Sequence, residues 1–192
     1  MKQLVTYGLM AGIVLAAAFA QEGGVDKKKL MTKNAQSPGM ETSATIGGKQ
    51  LWIYYHAPSA RGRHIFAGDG AMQPDDTVWR LGADAATVLH TDAALDIGGL
   101  AVPPGDYSLY VFLDKGNWQL IVNKTTGQWG INMDGSTTNK QSDELGRVAM
   151  RMSKNASPVE TLKIDLASTG GNRGRLSAAW ENVSASVPIT VK

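Results

Sequence analysis

Two glycine pairs, Gly47-Gly48 and Gly98-Gly99, sit between short runs in which apolar and polar residues alternate, and this arrangement restricts the fold more than any other feature. Leu51, Ile53 and Tyr55 alternate with Trp52, Tyr54 and His56, the period of a strand covered on both faces. Paired glycines accept positive φ at both central positions of a type I′ turn, so each pair predicts a two-residue hairpin. Gly98-Gly99 divides Ala94-Leu95-Asp96-Ile97 from Leu100-Ala101-Val102 in the same way. Pro103-Pro104-Gly105-Asp106 predicts the next turn, and Tyr107 to Leu113 a strand. Asp114-Lys115-Gly116-Asn117 then turns that strand into Trp118 to Asn123.

Further strands are predicted at Arg147 to Met152, Val159 to Leu166, Arg175 to Trp180 and Val187 to Val191. Pro188 predicts that the last lies at an edge, since proline cannot donate to a ladder. No long stripe of 3.6-residue period occurs, and a short helical turn is expected only around Ser142 to Leu145. Asp134 to Lys140 and Ser168 to Asn172 read as exposed loops. The pattern predicts an all-β fold, a single antiparallel β-sandwich (jelly-roll or immunoglobulin-like) of about ten short strands.

The N-terminus carries a different signal. Lys2 precedes an apolar stretch from Leu4 to Phe19, and Ala18-Phe19-Ala20 has the small-x-small form of a signal-peptidase site. Residues 1–20 are expected to be a signal peptide cut after Ala20, giving a periplasmic or secreted protein with no stable membrane insertion after cleavage. Polar residues 21–38 are expected to form a flexible leader and residues 39–192 the sandwich domain. The chain has no cysteine, so burial alone must hold an exported domain together. A domain of ~150 residues buries roughly 70% of its unfolded surface, enough for the purpose.

The formal charge is +2 and the basic residues are scattered apart from Lys27-Lys28-Lys29, which argues against nucleic acid as a partner. There is no Gly-x-Ser-x-Gly elbow, phosphate loop or dinucleotide fingerprint, and cysteine chemistry is excluded. No catalytic residue and no cofactor is expected from these motifs.

Several segments together carry a family likeness. They are Tyr55-His56-Ala57-Pro58-Ser59-Ala60-Arg61-Gly62-Arg63, Ile65-Phe66, Trp79-Arg80-x-Gly82-Ala83-Asp84-x-Ala86-Thr87, Gly105-x-Tyr107-Ser108-Leu109, and Asn123-Lys124 through Gln128-Trp129-Gly130. Trp180-Glu181 and Val187-Pro188-Ile189 complete it more weakly. In this order the chain resembles an exported bacterial family known as domain of unknown function 2911. The resemblance implies a secreted or periplasmic β-rich domain and brings no activity, cofactor or catalytic residue. Two departures add negative charge beside Arg80: Asp75-Asp76 follow Pro74 where an aromatic residue and glycine are usual, and Asp84 stands where asparagine is frequent.

The candidate ligand-binding residues are Arg80, Asp84, Gln128, Trp129, Arg61 and Arg63. Arg80 follows Trp79 on a strand, so the two side chains point to opposite faces. Asp84 is placed to neutralise Arg80 from a return loop; otherwise Arg80 offers its planar donor fork to a ligand beneath Trp129. The first reading is a non-catalytic binding module for a small polar ligand, a glycan or a cell-envelope partner. A second is a metal-assisted hydrolase using His56 and His64 with Asp69 or Asp84, because two strand-end histidines and a carboxylate can hold zinc with an open position. A third is a structural or assembly subunit of the envelope that offers an edge strand.

Overall fold

The computed structural model describes residues 35–192. The expected signal peptide and residues 21–34 of the expected leader lie outside the described residues. Eleven strands follow one another: β1 (Gly39–Ile46), β2 (Lys49–His56), β3 (Thr77–Trp79), β4 (Thr87–Thr91), β5 (Leu95–Ile97), β6 (Leu100–Val102), β7 (Gly105–Leu113), β8 (Gln119–Asn123), β9 (Glu144–Ala149), β10 (Arg151–Gly170) and β11 (Arg173–Val191). One 3₁₀ turn, Gln141–Asp143, precedes β9. The expected hairpins form where the glycine pairs stand. Ile46 pairs with Lys49 around Gly47 (φ 57°) and Gly48 (φ 74°), and Ile97 pairs with Leu100 around Gly98 (φ 56°) and Gly99 (φ 97°).

The strands build two antiparallel sheets packed as a sandwich. One has the order β1-β2-β4-β7-β8-β9, with β3 also paired to β7; the other has the order β10-β11-β5-β6. Alternation decides which side chains fill the space between them. Leu51, Ile53 and Tyr55 of β2, Leu89 of β4, and Leu109 and Val111 of β7 meet Leu162, Ile164, Leu176, Ala178 and Ile189 of the second sheet. Phe66, Trp79, Trp118 and Trp180 form an aromatic cluster in this core, with Trp79 and Trp180 stacked at 5.9 Å and Phe66 edge-on to Trp118 at 4.7 Å.

One seam between the sheets is closed by a side chain. The buried Tyr55 hydroxyl accepts from Ile164 N at 3.1 Å and lies 3.5 Å from Ile164 O, so the exposed-side ladder of β10 finds its partner on the other sheet.

Two expectations about the C-terminal third need correction. The expected strand 147–152 is divided between β9, which ends at Ala149 in the large sheet, and β10, which starts at Arg151 in the other; β10 then runs unbroken through residues 151–170 and takes in 159–166, and β11 runs through 173–191. The polar stretch Ser153 to Pro158, which fell between two expected strands, faces solvent over most of its length, and bulges in the register absorb it. Asn155 bridges that gap by donating to Glu181 O and Val183 O. Pro188 is not on an edge strand either. β11 hands over at this point from β10, whose last pair is Arg151 with Ser186, to β5, which begins at Ile189. Neither ladder asks Pro188 for an N–H, and its carbonyl accepts from Gly98 N at 3.0 Å.

Candidate functional site

The site arises from a split in the large sheet. On one side of β7, β4 pairs as far as Thr87 with Leu109, and β3 takes over at Trp79 with Val111. Residues 80–86, which join the two strands, are therefore expelled from the sheet as a closed loop. Thr87 N donates to Arg80 O at 3.4 Å and Thr87 Oγ1 to Leu81 O at 2.7 Å. Leu81 (φ 52°) and Asp84 (φ 55°) adopt left-handed backbone inside this loop, which costs roughly 1–2 kcal/mol for each side-chain-bearing residue. The burial of Leu81 and the bonds of Asp84 offset that cost.

Trp79 faces the core, where its Nε1 donates to Gly82 O at 3.2 Å, and Arg80 turns the other way, against Trp129 and Gly130. Arg80 Nη1 donates to Asp84 O at 2.6 Å and to Trp129 O at 2.9 Å. The guanidinium carbon lies 5.6 Å from the centroid of the Trp129 ring, over its face. The stem of Arg80 rests on Gly130 (φ 97°), where an added Cβ would come within 2.6 Å of Arg80 Cδ. Burial lowers the pKa of Arg80 and the Asp84 charge raises it in part.

Asp84 does not pair with Arg80 through its carboxylate. Buried at 6% exposure, that carboxylate accepts from the main chain of the N-terminal segment, at 3.3 Å from Gln36 N and 3.1 Å from Ser37 N. The left-handed backbone turns the Asp84 carbonyl toward Arg80 and the side chain toward residues 36–37, a division that spacing alone does not reveal. Gln128 is likewise engaged within the fold: its Oε1 accepts from Ser108 Oγ at 3.0 Å and its carbonyl from Ala86 N at 3.1 Å. Asn123 closes the start of this excursion by accepting from Thr125 N at 2.8 Å. The loop carrying Trp129 is thereby pinned across the outer face of the large sheet. Trp129 itself stays 46% exposed.

Arg80 lines one wall of a cleft of about 500 Å³. Arg61 and Arg63 line it too, from the turn after β2, with Gln36, Ser37, Gln73 and Thr77 as further polar groups and Trp180 among its apolar ones. Arg63 is fixed by carbonyls, Nε donating to Ala60 O at 2.9 Å and Nη2 to Ser59 O at 2.7 Å. Arg61 (φ 51°) satisfies Glu160 with its main-chain N–H at 2.8 Å. Among the described residues no carboxylate lines this cleft, and none forms an ion pair with any of the three guanidinium groups. The negative charge expected beside Arg80 from Asp75 and Asp76 is directed elsewhere: Asp76 pairs with Lys115 at 3.8 Å, and Asp75 lines a separate small pocket.

The histidines do not converge. His56 is 1% exposed on the outer face of β2, edge-on to Tyr54, and its buried Nδ1 has no hydrogen-bond partner among the described residues. Burial lowers its pKa, the Asp84 charge raises it and the Arg80 charge lowers it. His64 instead meets Glu181 Oε1 at 3.0 Å, and that contact with the Ala67 carbonyl raises its pKa. Asp69 is exposed, and no three His, Asp or Glu side chains among the described residues are close enough to hold an ion. Glu181 is a residue the sequence did not single out as functional. At a left-handed position (φ 51°) its carboxylate accepts from Ile65 N and Phe66 N, fixing the return of the arginine turn into the core. Its only sequence signal is its place after Trp180.

Comparison with known proteins adds the family and no more. A search of curated proteins and a search of solved structures returned no match. A family model described as "Protein of unknown function (DUF2911)" matches residues 37–189, which takes in strands β1 to β10, β11 up to Ile189, and the three arginines of the cleft. On that match, the chain belongs to the DUF2911 family of proteins of unknown function.

Proposed function

We propose that this domain is a non-catalytic binding module whose cleft receives the anionic group of a small polar ligand. The observation that carries this reading is the cleft lined by Arg61, Arg63 and Arg80 with no carboxylate in its wall. Carbonyl groups hold Arg63 and Arg80 in place, which orders the guanidinium planes without cancelling their charge. The remaining N–H groups of such a fork suit the two oxygens of a carboxylate, or those of a sulfate or phosphate. The volume falls in the ~300–1,000 Å³ range of small-molecule sites. The small-x-small sequence at Ala18 to Ala20 supports placing this activity outside the cytoplasm, in the periplasm or beyond.

Calorimetric titration of the purified domain with tartrate and with inorganic sulfate tests the reading. Binding should be weak, in the millimolar to high-micromolar range, and should weaken as salt is raised. The double substitution Arg61→Gln, Arg63→Gln should reduce it at least tenfold while the protein stays folded, the loss of the two carbonyl bonds of the exposed Arg63 lowering the melting temperature only slightly. Anion binding that survives this substitution undiminished, or no anion binding by the folded protein, refutes the cleft as the site.

A further inference from the structure

We infer that the cleft is one half of a longer site and that its ligand is a uronic-acid-containing oligosaccharide. This rests on the anion-binding reading above and extends it across Trp129. A second cavity of about 330 Å³ lies on the same loop, lined by Thr125, Gln128, Asn132, Thr137, Lys140 and Asp143 among others, with no apolar side chain in its wall. Ile131 and Gly135 of this loop line the arginine cleft, whereas Asn132 and Thr137 line the second cavity. The loop is stiffened by Thr138 N donating to Gly130 O at 3.1 Å and by the bridge between Ile131 and Thr137. The two cavities are therefore neighbours on one partition, and the exposed Trp129, which lines neither, lies in the chain between Gln128 of the second cavity and Ile131 of the cleft.

The chemistry of the three parts differs in the way an acidic sugar chain requires. The arginines match a carboxylate at C6 of a pyranose. The indole has Arg80 over one face and is still nearly half open, and aromatic rings of this kind stack on the C–H face of a sugar. Hydroxyl and amide groups in the second cavity match the hydroxyls of the next residue in the chain. A peptide with a C-terminal carboxylate would satisfy the arginines, but it would find no apolar subsite in the second cavity for a side chain.

Calorimetry with galacturonic acid, its linear trimer, the neutral galactose trimer and a short peptide bearing a free C-terminal carboxylate tests the inference. The acidic trimer should bind at least tenfold more tightly than the monomer and than the neutral trimer. Trp129→Ala should reduce trimer affinity roughly tenfold, Trp129→Tyr should keep most of it, and Lys140→Gln should weaken the trimer without affecting the monomer. Thermal melting confirms that each variant is folded. A trimer that binds no better than the monomer, or a folded Trp129→Ala variant with unchanged trimer affinity, overturns the inference and leaves the anion cleft standing. Tighter binding of the peptide than of the acidic trimer overturns it in favour of a peptide ligand. If monomer, trimer, tartrate and sulfate all fail to bind, the cleft reading falls with it.

Discussion

Replacing Asp84 by asparagine isolates the job of its carboxylate. Asparagine tolerates left-handed backbone as aspartate does, so φ 55° adds no new strain. The carboxylate holds Gln36 N and Ser37 N, and a hydrogen bond to a charged group contributes about 1.5–3 kcal/mol. The amide keeps one acceptor oxygen and turns an NH₂ toward the other donor. Gln36 is exposed and its N–H turns to water at little cost, whereas Ser37 is only half exposed. The net loss should be about 2 kcal/mol, or a melting temperature lower by ~4–8 °C for a domain of this size. Asp84→Ala removes both acceptors and adds the left-handed penalty of a Cβ without a polar partner, so it should cost about 1 kcal/mol more. The bond from Arg80 ends on the Asp84 main chain and survives both changes, so Arg80→Lys combined with Asp84→Asn should be close to additive. Chemical denaturation of the two single variants and the double variant, with amide exchange at residues 36–37, reads all of this. Wild-type stability in both single variants, or a coupling above about 1.5 kcal/mol in the double, would refute the assignment of the carboxylate to the N-terminal segment.

Other consequences follow from named contacts. Tyr55→Phe leaves Ile164 N without its buried partner and should cost about 1–3 kcal/mol, measured by denaturant unfolding. Gly130→Ala meets Arg80 Cβ and Cδ within 2.7 Å from a backbone at φ 97°, and it should lower stability by ~2 kcal/mol and weaken tartrate binding by displacing the guanidinium. His56 and His64 should tilt stability against pH in opposite directions. His56 has a folded pKa below its ordinary 6.5 because it is buried, so its contribution is present above pH ~6.5 and is lost as pH falls through the lowered value. His64 has a folded pKa above 6.5 because Glu181 faces it, so its contribution is present below pH ~6.5 and fades as pH rises through the raised value. Melting temperatures of His56→Gln and His64→Gln between pH 5 and 8 should therefore change slope with opposite signs.

Local pattern reached a long way into this protein. Period two and the glycine pairs were enough for an all-β antiparallel sandwich, because side-chain alternation and the sign of φ are properties of a few consecutive residues. The same alternation put Trp79 toward the core and Arg80 away from it, against Trp129, as they are. Arg61, Arg63 and Arg80 were legible as candidates, since a guanidinium carries a planar donor fork suited to anions. That they share one cleft was not legible, because some twenty residues separate the pair from Arg80 and only the return of β3 along β7 closes that distance. The long β10–β11 hairpin was also hidden, since a strand exposed on both faces over Ser153 to Pro158 carries no alternating signal. Which partner each polar group takes was decided by tertiary structure alone. Asp84 turned its carboxylate to Gln36 and Ser37, Glu160 and Glu181 were spent on main-chain N–H groups, and the arginines of the cleft kept their charge. Hydrogen-bond partners are fixed by three-dimensional proximity and by the cost of leaving a buried donor unpaired, and neither quantity is written in the spacing of residues along the chain.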